Sequence, residues 1–144
     1  MAEVILSEMG WDQLEVFDTI HNYVDLEQMI LRKGAISAGA GEIVIIPMNM
    51  RDGSLICKGK GNPDWNYSGP HGAGRIMSRT EAKQKISMAD YKQAMENVWS
   101  SSVIQATIDE APFAYKKMED IVKHIGESVE ILKIIRPIYN FKAK

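Results

Sequence analysis

The chain is poor in the residues that would announce a specialised class. Its 144 residues include one cysteine, Cys57, which excludes an intrachain disulfide and points to a reducing compartment. It has three histidines, few enough to weigh one by one. It has no excess of positive charge: 17 Lys and Arg against 19 Asp and Glu give a formal net charge of −2. Nucleic-acid binding would then need a local patch rather than a global basic field. No apolar run approaches the length of a membrane span. The opening MAEVILSEMGWDQLEVF carries acids where a secretory signal carries basic residues. These absences predict a cytoplasmic protein with no membrane partner. Internal repeats and low-complexity tracts are missing too.

What is present is ordinary for a globular domain. Apolar residues make up 45% and charged residues 25%, and residues 1–144 are room for a single domain with a real core. The nine methionines read as core filler.

Periodicity predicts a short helix over residues 3–10, ended by Gly10. A second helix is predicted over 11–23, with Leu14, Phe17, Ile20 and Val24 at helical spacing. His21 and Asn22 fall on its other side, where the plain reading is a surface histidine near a helix end. Residues 29–33, 42–47 and 54–59 read as strands, the second buried on both faces. Residues 34–41 read as a loop or an irregular connection. Asp52-Gly53 is the tightest part of a turn. Cys57, inside a strand, reads as a small buried hydrophobe. Residues 59–75 form a long irregular stretch in which Trp65 and Tyr67 call for burial or a ligand.

Farther on, Ser78-Arg-Thr-Glu81 is a capping box, and Ser87-Met-Ala-Asp90 repeats the signature. Residues 98–104 read as an edge strand and 109–112 as a break. Residues 115–125 read as an amphipathic helix closed by Gly126, with His124 solvated on its last turn. Residues 129–137 are a terminal strand. The order predicts an α+β fold, its strands mostly antiparallel and packed with helices.

The chemistry concentrates in Ser68-Gly-Pro-His-Gly-Ala-Gly-Arg75. Glycines let a bulky anion approach the backbone. A Gly-rich turn leading into a helix presents N–H groups and a positive dipole end. Arg75, read as lying on that helix's first turn, adds a planar donor pair suited to phosphate. His71 at the mouth can serve as nucleophile, proton carrier or metal ligand. As a nucleophile its neutral imidazole attacks phosphorus and leaves readily once protonated, a temporary carrier of a phosphoryl or nucleotidyl group. The plain alternative is a turn whose histidine is merely exposed.

Several separated motifs together resemble the RtcB family of tRNA-splicing and RNA-repair ligases. They are Ile20-His-Asn22, Ile46-Pro-Met-Asn-Met-Arg-Asp-Gly-Ser54, His71-Gly-Ala-Gly-Arg-Ile-Met-Ser-Arg79, Glu110-Ala-Pro-Phe-Ala-Tyr-Lys116 and Arg136-Pro-Ile-Tyr-Asn-Phe-Lys-Ala143. The resemblance implies the C-terminal third of an RtcB-type fold. It also implies a GTP- and Mn²⁺-dependent ligase that joins RNA 2′,3′-cyclic phosphate or 3′-phosphate ends to 5′-hydroxyl ends through a histidine–GMP intermediate. It makes His71 the guanylylated nucleophile and His21 a manganese ligand. Asn22, Pro47, Met48, Asn49, Met50 and Ser54 match nucleotide-contacting positions. So do Gly72, Ala73, Gly74 and Lys142, with Tyr115 as a further pocket member.

Met48-Asn49 departs from the family's common Gly-Ser pair, and Cys57 stands in the wrong place for the metal-bridging cysteine. By the resemblance the remaining metal ligands lie outside these residues, so this chain alone is expected to be inactive. An uncovered core face is expected to make it self-associate. The alternatives are a short homologue that binds guanine nucleotide or RNA without catalysis, and a structural or interaction domain.

Overall fold

The computed structural model describes residues 2–12 and 16–142. Leu14, Ala143 and Lys144 lie outside the described residues. Helix α1 (Ala2–Met9) ends at Gly10. Strands β1 (Asn22–Asp25) and β2 (Ile30–Lys33) form an antiparallel hairpin that sets Tyr23 opposite Arg32. The helix expected over residues 11–23 is therefore corrected: residues 16–21 are not helical, and Asn22 and Tyr23 are strand.

The reason lies in another segment. Arg32 is 2% exposed and donates to Tyr23 Oη and Ser68 Oγ, both at 2.9 Å. Asp25 Oδ1 accepts from the backbone N–H groups of Glu27 and Gln28 and closes the turn. Phe17, Ile20 and Val24 stay exposed, so their helical spacing finds nothing to pack on.

Strand β3 (Ala35–Ser37) is followed by β4 (Ile43–Pro47) and β5 (Ser54–Gly59). A 3₁₀ turn, Pro63–Trp65, leads to β6 (Ser68–Pro70), which pairs antiparallel with β3. The two stretches expected to be irregular thus stitch together, with Ile36 opposite Gly69. Trp65 and Tyr67 are not buried, but the Trp65 indole N–H donates to Glu127 Oε2 at 3.0 Å.

Helices α2 (Arg79–Lys85) and α3 (Met88–Ala94) follow, then 3₁₀ turns Gln105–Glu110 and Pro112–Ala114, helix α4 (Met118–Ile125) and strand β7 (Val129–Ile135). The Ser78 box is formed: Ser78 Oγ accepts from the Glu81 N–H at 3.1 Å, and Glu81 Oε2 accepts from the Ser78 N–H at 3.0 Å. A Ser78→Ala change should cost about 1 kcal/mol, read as a lower urea midpoint with an unchanged slope.

Three further expectations shift. Residues 98–104 are not a strand. Trp99 makes one isolated parallel bridge, to Tyr139, while the Ser102 N–H turns to Ser100 Oγ, so serine side chains compete with a ladder. Residues 109–112 are not a plain break but the junction of two 3₁₀ turns. Helix α4 starts at Met118 rather than at 115, because Tyr115 bridges Arg75 and the Lys116 N–H donates to Gly74 O. It ends at Gly126 with φ −60°, not in the left-handed region.

Strands β4, β5 and β7 form an antiparallel sheet with β5 in the middle. Its inner face, with Val44, Ile46, Leu55 and Val129, packs on Ile125 of α4. Strand β4 is not buried on both faces: Ile46 is fully buried, while Ile43 and Pro47 on the other face are exposed. Cys57 is in this first core, and burial pushes its thiol up to about 11, which keeps it an inert hydrophobe.

A second core joins Met50, Ala82, Tyr91, Met95 and Ile108, and Tyr115 packs against both cores. The result is α+β, with helices packed on antiparallel sheets. Among the described residues no helix is long and apolar enough to cross a membrane. Large apolar side chains lie exposed along the N-terminal segment, from Val4 to Leu31.

Candidate functional site

The seam between the two cores opens into a cavity of about 680 Å³, within the size range of small-ligand sites. Four segments build its walls. The turn after β4 brings Pro47, Met48, Asn49, Met50 and Ser54. The segment after β6 brings His71, Gly72, Ala73, Gly74 and Arg75. Glu110 and Tyr115 come from the 3₁₀ region, and Arg136 and Lys142 from the C-terminal tail.

Local hydrogen bonds explain the convergence. The Ala73 N–H donates to Pro47 O at 3.1 Å, which lays the glycine-rich segment along the end of β4. The Ile76 N–H donates to Ala114 O and the Lys116 N–H to Gly74 O, which pins Arg75 beside Tyr115. Lys142 is held by Ser102, whose Oγ accepts the Lys142 N–H at 2.9 Å and donates to its carbonyl at 3.1 Å.

His71 is exposed at the rim. Its Nδ1 lies 2.5 Å from Gly34 O. A carbonyl only accepts, so Nδ1 carries the proton and donates. In the neutral ring Nε2 then keeps the free lone pair. Gly34 is fixed in turn: its N–H is shared between His21 O at 2.9 Å and Asn22 Oδ1 at 3.0 Å. The His21 ring stacks on the His71 ring, with centroids 5.2 Å apart and an interplanar angle of 16°. His21 and Asn22 thus brace His71 through Gly34. Asn22 lies outside the cavity lining, and its Oδ1 accepts the Gly34 N–H.

Four other expectations change in detail. Arg75 is not on a helix: α2 begins at Arg79 behind the Ser78 cap. The Arg75 guanidinium is largely engaged, with Nε on Met77 O at 3.1 Å, Nη1 on Tyr115 Oη at 3.2 Å, and Nη2 on Asp109 O at 2.6 Å. It is a strut of the cavity wall rather than a free phosphate fork. Asn49 is also occupied: Oδ1 accepts the Arg51 and Asp52 N–H groups and Nδ2 donates to Asp52 Oδ2. Met48 and Met50 are buried in the first and second cores respectively, so they shape the wall from behind.

Motif reading missed Glu110 and Arg136 as cavity residues, although each opens one of the motif segments. Burial pushes the Glu110 carboxyl up, but hydrogen bonds from Tyr115 and Lys142 outweigh that and hold it below the usual range. Burial, reinforced by the neighbouring Glu110, pushes the Tyr115 phenol up to about 12. Both groups keep their ordinary charge states at neutral pH.

A divalent transition metal needs three or more ligands. Among the described residues no group of three or more His, Cys, Asp or Glu side chains is arranged to hold one. His21 supplies one imidazole and does not make a manganese site by itself. The cavity does suit a nucleotide in size and in its polar handles, Arg136, Lys142 and Tyr115.

Comparison with known proteins gives the family. The family profile described as tRNA-splicing ligase RtcB matches residues 1–143. The RNA-splicing ligase RtcB of Escherichia coli K12 is 38% identical over 131 residues, covering 87% of this chain and 32% of that protein. The tRNA-splicing ligase RtcB of Aeropyrum pernix is 32% identical over 157 residues, covering 85% of this chain and 32% of that protein. The Methanopyrus kandleri protein of the same name is 28% identical over 144 residues, covering 78% of this chain and 15% of its own length. This chain spans about a third or less of each of these three relatives. With the profile matching nearly every residue, the chain belongs to the RtcB family.

Proposed function

We propose that this chain is the guanine-nucleotide portion of an RtcB-type RNA ligase. The observation that carries this is His71 at the cavity rim, with Nδ1 committed to Gly34 O and Nε2 free. In this reading Nε2 attacks the α-phosphorus of GTP. A nitrogen–phosphorus bond forms, the bond to pyrophosphate breaks, and pyrophosphate leaves. An oxygen of the RNA 3′-phosphate then takes the GMP, and the protonated imidazole departs. The 5′-hydroxyl of the second RNA end attacks the activated 3′-phosphorus, and GMP leaves as the phosphodiester forms.

The Gly34 carbonyl keeps Nε2 presented, and the backbone of Gly72, Ala73 and Gly74 follows the nucleotide. Lys142 and Tyr115 meet the base. No step is assigned to manganese, for which the described residues supply no group of three ligands. We place the protein in the cytoplasm, with RNA ends as substrate. The exposed apolar side chains of the N-terminal segment support self-association of the isolated chain.

Labelled GTP with Mn²⁺ tests the reading. The chain should retain GTP without forming an acid-labile histidine adduct. An adduct would show that it is complete by itself. Absence of any binding would favour a structural or interaction domain and overturn the nucleotide reading.

A further inference from the structure

Glu110 closes the 3₁₀ turn Gln105–Glu110, and its side chain is 15% exposed. Side chains from three regions converge on it. Tyr115 Oη donates to Oε2 at 2.7 Å, and Lys142 Nζ lies 3.1 Å from the same oxygen. Arg75 Nη1 and Arg79 Nη2 lie 3.6 and 3.5 Å from Oε1. Three of these four, with Glu110 itself, line the cavity, and Arg79 opens α2.

Lys142 is a flexible arm on the C-terminal tail. Its ammonium has one carboxylate partner among the described residues, Glu110. Released from it, the lysine stem would regain its rotamer freedom. Tyr115 is fixed from both ends, its hydroxyl on Glu110 and its ring under the Arg75 guanidinium at 5.0 Å. A carboxylate accepts on both oxygens. A glutamine of the same shape accepts on one and turns N–H donors toward cations.

We propose that Glu110 is a positioning residue of the nucleotide site, acting through Lys142 and Tyr115. Its carboxylate sets both groups at the cavity wall before the nucleotide arrives. This role rests on the proposed nucleotide site and adds a residue to it.

The test is a double-mutant cycle in calorimetric GTP titrations of wild type, Glu110→Gln, Lys142→Ala and the double variant. Glu110→Gln should weaken binding about tenfold, the scale of a lost charge-assisted contact. The double variant should bind within about twofold of Lys142→Ala alone, because the two residues act as one unit. Glu110→Asp, which keeps the charge on a shorter arm, should recover part of the loss. Unchanged binding in Glu110→Gln would overturn the proposal, and so would losses that simply multiply.

A ligand-free arm separates this from the nucleotide reading. The Tyr115 phenol, assigned by Tyr115→Phe in a tyrosine-labelled NMR titration, should ionise at lower pH in Glu110→Gln. An unmoved Tyr115 titration overturns the positioning role whether or not wild type binds GTP. Wild type that fails to bind GTP sinks the nucleotide reading and leaves the phenol titration to decide. If Glu110→Gln does not fold, the same cycle and titration run on Glu110→Asp, with weaker binding and a shifted phenol expected and no change in either overturning the role.

Discussion

Gly53→Ala should strip the protein of much of its stability and distort the nucleotide cavity in the same step. Gly53 has φ +84°, where an L side chain is strained by about 1–2 kcal/mol. Lack of space costs more than the torsion. A Cβ there would sit 2.0 Å from Ile135 O and 3.1 Å from Arg136 Cα. These are backbone atoms, so no flexible side chain can give way. The Gly53 carbonyl also accepts the Met48 N–H at 2.8 Å, closing the turn between β4 and β5.

Relief must come from moving the end of β7, where Ser54 pairs with Ile135 and where Arg136 and Pro137 line the cavity. The combined loss should be about 3 kcal/mol or more, against a typical total of about 5–15 kcal/mol. Urea unfolding measures it. Gly74→Ala is the matched control: φ is +71°, but nothing lies within 4 Å of its Cβ. It should lose only the torsional part, about 1 kcal/mol. Equal losses at the two sites would refute the packing argument.

His71→Ala should abolish covalent nucleotide capture in a chimera that joins this chain to the part of the E. coli relative it does not match. Among the described residues lining the cavity His71 alone carries an imidazole, and alanine offers no nucleophile in its place. The rate of adduct formation should fall at least about 10³-fold, beyond detection by acid-labile label. GTP binding should stay within about threefold, because the base contacts proposed for Lys142 and Tyr115 remain. An adduct that persists on His71→Ala would transfer the role to another side chain, and His21, stacked on His71, is the first to examine.

Local chemistry is legible in this sequence, and long-range partnership is not. The Ser78 capping box and the β-branched runs of β4 and β5 declare themselves within a few residues, so α2 and the main sheet are expected where they stand. The end of the expected helix misleads because what holds Tyr23 is Arg32, a buried cation from the facing strand. Strand β3 hides because its partner, β6, lies about thirty residues away inside a stretch rich in glycine.

At the site, residue identity is readable from the motifs but the allotment of donors is not. Arg75 reads as a phosphate fork until Met77 O, Asp109 O and Tyr115 Oη are seen to occupy it. Asn49 offers an amide in the motif, and the structure shows its Oδ1 accepting two N–H groups of the turn. Glu110 stands at the head of a motif, yet nothing in one dimension says that three regions send cations and a phenol to it.

The grip on the His71 ring comes from the carbonyl of Gly34. A carboxylate in that place would carry a charge that titrates and could be deleted by one substitution. A peptide oxygen offers neither lever. What aims it is the torsion at Gly34, φ +67°, where most other residues sit under strain. Aim at this histidine is therefore inherited through chain geometry: side chains of the β2–β3 junction are free to drift, provided the bend at Gly34 is kept.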